Sequence, residues 1–157
     1  METAILRQQY DWVKQSREVL FSYAATLSER DFLQENSAFG RGSVRNLLVH
    51  IATTYQFWIG KQALKKDIEF TKNESVKTIG DTRAVFENID RLLEEFFSFF
   101  ETRGATEIVC ALNGNETTAS PLKLFSHVVT HEFHHKGQIL SLSRHLGYVP
   151  VDTDIMR

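Results

Sequence analysis

Both prolines of the chain, Pro121 and Pro150, come late in the sequence. Proline lacks the backbone N–H and its ring clashes with the preceding helical turn, so the first 120 residues are free of the strongest helix breaker. Apolar residues there recur at spacings of three and four, the period of a helix with one buried face. A first helix is expected over about 3–27, with Ile5, Leu6, Val13, Leu20, Tyr23, Ala24 and Leu27 facing inward. Ser43 reads as an N-cap; Leu47, His50, Ile51, Thr54 and Trp58 then form one stripe of a second helix. A third begins near Asp81, carries Val85, Ile89, Leu92, Leu93, Phe96, Phe97 and Phe100, and stops at Gly104. Ser120 caps a fourth helix with Pro121 at its first position, and Gly147 ahead of Pro150 stops it, giving about 121–146. Before it, Asn113-Gly114 between apolar and β-branched residues fits a small hairpin.

Four long amphipathic helices predict an all-α fold, a four-helix bundle in a single domain over 1–157. The long connections at 28–42 and 66–80 allow topologies other than simple up-down-up-down. A net charge of -2 and a pI near 6.3 supply no excess of Lys and Arg for a phosphate backbone, so nucleic acid is not an expected partner. No apolar run approaches the roughly 20 residues of a membrane span, and the N-terminus lacks the apolar core of a signal peptide, so no membrane is expected. Cys110 is the single cysteine and has no internal disulfide partner. These features predict a cytoplasmic location.

Five of the six histidines lie on the fourth helix. At about 100° per residue, His135 falls inside the apolar stripe set by Leu122, Leu124, Phe125, Val128, Val129, Ile139, Leu142 and Leu146, and His131 falls on its edge. His127, His134 and His145 turn toward the polar side. Residues i and i+4 stack one turn apart, so His131 and His135 can chelate one ion, with His50 from the second helix as the third nitrogen. Three imidazoles buried without partners would cost on the order of 1–3 kcal/mol each, and a shared ion removes that cost.

The segment His131-Glu132-Phe133-His134-His135 also satisfies H-E-x-x-H, the zinc peptidase pattern. The extended peptidase motif needs glycine at 138 and histidine at 141, where this chain has Gln138 and Ser141, and no glutamate follows Glu132. The match is therefore read as incidental. Glu132 lies near the centre of the apolar stripe, where a lone carboxylate is expensive to bury. It is either the partner of an Arg or Tyr from another helix or an outer-shell or proton-transfer group, a candidate catalytic residue.

The stretches F39-G-R-G-S-V-R-N-L-L-V preceding H50-I-A-T-T-Y-Q-F-W-I, then H131-E-F-H-H-K-G-Q-I139, and finally G147-Y-V-P-V-D resemble the DinB/YfiT-like family of small metal-binding bundles. The resemblance covers about 5–154. It implies that His50, His131 and His135 ligate a divalent ion, commonly zinc or nickel, in a bundle of unusual connectivity, often a homodimer, in the cytoplasm. Gly137 and Gln138 match the family's Gly-Gln after the last ligand, where a glycine allows close helix approach.

Three neutral imidazoles leave a fourth position open, as in catalytic zinc sites. Three readings follow: a metal-dependent transferase that passes a low-molecular-weight thiol, as in some relatives of the wider superfamily, to an electrophile; a metal-dependent hydrolase; and a non-catalytic metal-binding bundle acting as a dimer or partner-binding module. Arg45, Lys61 and Arg144 are the candidate cations for a carboxylate-bearing thiol. The FFSFF run at 96–100 offers more apolar surface than one stripe needs, so part of it is expected at a dimer interface or in core packing at a bundle end.

Overall fold

A computed structural model describes residues 2–104 and 106–157. Helix α1 spans Glu2–Ala24, the short α2 Glu29–Leu33 and α3 Val44–Tyr55, which continues without a break as a π-helix over Gln56–Ala63. Helix α4 spans Ile79–Arg103, strands β1 and β2 span Ile108–Leu112 and Asn115–Ala119, and α5 spans Pro121–His145. The four long helices form the expected all-α bundle, and the hairpin is also present. Its turn is Asn113-Gly114, both residues at positive φ (52° and 79°), the two-residue geometry that suits the twist of antiparallel strands.

The caps explain the boundaries. Ser43 and Ser120 accept from the backbone N–H groups of Asn46 and Lys123. Helix α4 begins two residues before the expected Asp81, because Thr78 and Asp81 form a reciprocal capping box. Gly104, at φ +71°, ends it. The connection before α3 contains α2, capped by Ser28.

Helix α1 packs on α4 and α5, and α3 packs on α5 and α4. The first two long helices are thus diagonal, not neighbours, which departs from a simple up-down-up-down ring. Their shared core takes in Val13, Leu20, Leu47, Ile51, Leu93, Phe125, Val128 and Ile139. Phe96, Phe97 and Phe100 are buried in it, and Phe99 packs against it, so the FFSFF run is core packing of this chain. Two residues expected inside are not: Ile5 is 61% exposed and Leu122, in the first turn of α5, is 45% exposed. On α1 the inward stripe holds the expected Leu6, Val13, Leu20 and Ala24 and adds Tyr10 and Arg17, spaced by threes and fours. A charged residue holds its middle.

Arg17 is the hub of a buried network that ties four helices together. Its guanidinium donates from Nε to Glu132 Oε1 (3.0 Å), from Nη2 to Glu132 Oε2 (2.8 Å) and from Nη1 to Asp90 Oδ1 (2.8 Å). Tyr55 Oη donates to Glu132 Oε2 at 2.7 Å, Tyr10 Oη to Asp90 Oδ1 at 2.7 Å, and Lys136 Nζ lies 3.0 Å from Glu132 Oε1. Two cations meet two carboxylates, one of them the half-buried Asp90, so the charge of the network sums to zero. Lys136 also donates to Ser16 Oγ, and the Ser16 hydroxyl donates to the Thr153 carbonyl, docking the C-terminal segment on α1.

The hairpin is fastened to the π-helix. Gln62 donates to the Ala111 carbonyl (3.0 Å) and accepts from its N–H (2.9 Å). Gly60 is the close-approach point: a Cβ there would meet Ile68 Cδ1 at 2.0 Å. Among the described residues, no helix is long and apolar enough to cross a membrane.

Candidate metal centre

The packing of α3 against α5 brings together the three histidines selected by helical period. One nitrogen from each of His50, His131 and His135 lies within 4.8 Å of the others. Ring centroids are 4.8 Å apart for His50 and His131, 4.6 Å for His50 and His135, and 4.3 Å for His131 and His135. The Nε2 atoms of His131 and His135 are 3.1 Å apart. Two tetrahedral bonds of about 2.0–2.1 Å to zinc put their nitrogens roughly 3.3 Å apart, so this spacing suits joint ligation.

Protonation favours the same use. Burial lowers the pKa of His50 to about 4, with the Arg41 and His135 charges adding to it. Burial lowers His131 to about 4 as well, with further contributions from His135 and His50. Burial also lowers His135, against the raising effect of its bond to Gln138. All three rings are neutral at pH 7, and each keeps a lone pair. Gln138 fixes which nitrogen of His135 that is: its Oε1 lies 2.7 Å from Nδ1 and can only accept, so Nδ1 carries the proton and Nε2 turns its lone pair toward His131. The Gln138 amide is itself oriented by His134 Nε2, 3.2 Å from Gln138 Nε2. His131 Nδ1 is buried without a hydrogen-bond partner among the described residues. A set of neutral imidazoles with one supported tautomer could hold a divalent metal ion.

The profile of the DinB family matches residues 1–157. The chain belongs to the DinB family. The match takes in both histidine helices and the loop before α3. No curated protein matches the sequence.

The other residues expected near the site divide clearly. Glu132 is fully buried one position from His131, with both oxygens taken by Arg17, Tyr55 and Lys136. Burial pushes its pKa up, but the Arg17 and Lys136 charges and two hydrogen bonds outweigh this and hold it at about 2. This is the partner arrangement anticipated for Glu132, extended to three helices besides its own through Arg17 and Asp90. His127, His134 and His145 are exposed outside the cluster; the His127 ring sits 5.2 Å from Trp58. Arg45 bonds Asn46 Oδ1, Lys61 lies over the Phe70 ring, and Arg144 is exposed. Cys110 is buried on β1, where burial pushes its thiol up against the lowering effect of Lys65. Gly137 is exposed and a Cβ there meets nothing within 4 Å, so it serves no close helix approach.

The cation that does reach the cluster is Arg41. Its Nη2 donates to His50 Nε2 at 3.3 Å. It sits in a loop, outside any helical period, so a wheel could not find it; the FGRGS stretch was the only signal.

Proposed function

We propose that the chain is a metal-dependent enzyme in which His50, His131 and His135 hold one zinc or nickel ion and which transfers a low-molecular-weight thiol to an electrophile. The observation that carries the reading is the convergence of three neutral imidazoles, one of them held in a single tautomer by Gln138. An ion bound there would supply Lewis acidity and favour the thiolate form of an arriving thiol. The residues of the chain do the remainder. Gln138 keeps the lone pair of His135 on Nε2. Arg41 adds positive potential beside His50, and its exposed, flexible side chain can leave the His50 lone pair free for the ion.

Glu132 was the sequence-local base for a hydrolytic reaction. Its engagement with three partners supports a positioning role, keeping α5 in register with α1 and α3, and weakens the hydrolase reading. Clefts opening beside His50, of about 380 Å³ and 330 Å³, support catalysis over a purely structural ion. We further infer a homodimer from the family resemblance; a monomer mass by light scattering would refute it.

The first test is elemental analysis of protein purified without added metal or chelating resin, alongside His50→Ala, His131→Ala and His135→Ala. About one ion per chain, lost in each variant, is expected, followed by metal-dependent thiol consumption with an electrophile. A wild-type protein that takes up neither zinc nor nickel would sink the reading.

A further inference from the structure

His50 and Thr53 stand on a shared wall between two clefts of opposite character. On one side, about 380 Å³ is lined by Gly40, Arg41, Asn46, Thr71 and Asn73, a predominantly polar surface. On the other, about 330 Å³ is lined by Thr54, Phe57, Trp58, Phe70 and Leu112, a predominantly apolar surface. Both sizes fall in the range of small-molecule sites, about 300–1,000 Å³.

The polar cleft has a single cation, and the fold presents it deliberately. Arg41 makes no ion pair among the described residues. Its loop is closed by backbone bonds from Asn36 N–H to the Gly42 carbonyl and from Gly42 N–H to the Phe39 carbonyl. Asn46 Nδ2 grips the Arg41 carbonyl at 2.9 Å, and Gly42 takes φ +86° to make the turn. A guanidinium without a carboxylate partner among the described residues, lining the cleft from a loop whose backbone is fixed, is suited to bidentate capture of a carboxylate. The aromatic cleft is equally constructed. Phe57 and Trp58 meet edge to face at 5.0 Å, Phe70 from the following connection faces Phe57 at 6.4 Å, and the hairpin docked by Gln62 supplies Leu112. Such a surface takes a flat or branched apolar group.

We propose that the molecule handled at this centre is bipartite: a carboxylate bound by Arg41 in the polar cleft and an aromatic or bulky apolar group bound by Phe57, Trp58 and Phe70, with its reacting atom between them at His50. This deepens the reading above, on which it rests for the role of His50. It makes Arg41 and the aromatic trio residues that select the substrate, and the centre itself the part that reacts.

The test uses metal-free, chelator-treated protein, so that its outcome is separate from that of metal analysis. Trp12→Phe leaves Trp58 as the sole tryptophan and its emission as the readout. The probes are 4-phenylbutanoate, its neutral analogue 4-phenylbutanol, and butanoate. The expected result is saturable change with 4-phenylbutanoate at an affinity at least about tenfold above either fragment. Arg41→Gln, an exposed position, is expected to erase the advantage of the acid over the alcohol and leave the alcohol unchanged. Phe70→Ala is expected to weaken both aromatic probes. Equal binding of acid and alcohol, or an Arg41→Gln variant that keeps the preference, would overturn the proposal even if the protein carries its ion. Loss of the ion in the histidine variants with the probe preference intact would leave the two-cleft assignment standing.

Discussion

Glu132 and His131 are neighbours on α5, yet their surroundings differ. Glu132 has each oxygen answered by Arg17, Tyr55 or Lys136, in a network that joins four helices and balances charge across three of them. His131 has one buried nitrogen with no partner among the described residues and another facing a second imidazole at 3.1 Å. Both are polar groups on an inward face, but one region is saturated from within the chain and the other leaves nitrogens unanswered. Polar saturation separates a group that builds the bundle from one that offers itself to a ligand.

Breaking the saturated region should cost most. Glu132→Ala leaves Arg17 and Lys136 buried without their shared anion, and a loss of about 3–5 kcal/mol in chemical denaturation is expected; a loss below about 1 kcal/mol would erase the contrast. Acid should act on the same group. Its pKa is lowered from 4.5 to about 2, so its contribution is complete above about pH 4.5 and disappears as pH falls toward 2. Glu132→Gln should flatten that part of the pH–stability profile of chelator-treated protein.

The open region should respond in the reverse manner. His135→Ala is expected to abolish metal retention while changing the stability of the metal-free protein far less than Glu132→Ala does. Comparable destabilisation in chelator would make the histidines another structural cluster. Gln138→Ala tests the support behind His135 and should weaken zinc affinity by about 10–100-fold in a competition titration, without abolishing it. Smallest is Gly137→Ala. It lies between the two regions in α5, its Cβ meets nothing, and a gain of about 0.5–1 kcal/mol with unchanged metal affinity is expected.

Helical period made the long helices and the inward histidines legible, because direction around an axis is encoded in spacing alone. Position along the axis is not: Leu122 has a suitable angle but lies in the first turn of its helix, exposed. Ile5 failed for another reason. The inward stripe of α1 is the expected one through Leu6, Val13, Leu20 and Ala24, and Ile5 stands one position, about 100°, to its exposed side. Arg41 stayed out of view because a loop residue has no period, and its relation to His50 arises from a turn closed by Asn36, Phe39 and Gly42. The exposed Gly137 shows that a motif glycine need not mark a close contact.

The π-helix over Gln56–Ala63 bears on how the chain tolerates insertion and deletion. Each of its turns closes with one residue more than an α-turn, so it acts as a slack segment in the register between His50 and the hairpin-bearing end. Removing one residue there can be absorbed by reverting to α-helix, with both flanks kept in place. In α5 the same deletion between His131 and His135 would rotate one ring by about 100° relative to the other. Length variation in aligned sequences should therefore gather at 56–63 and be absent from 131–138.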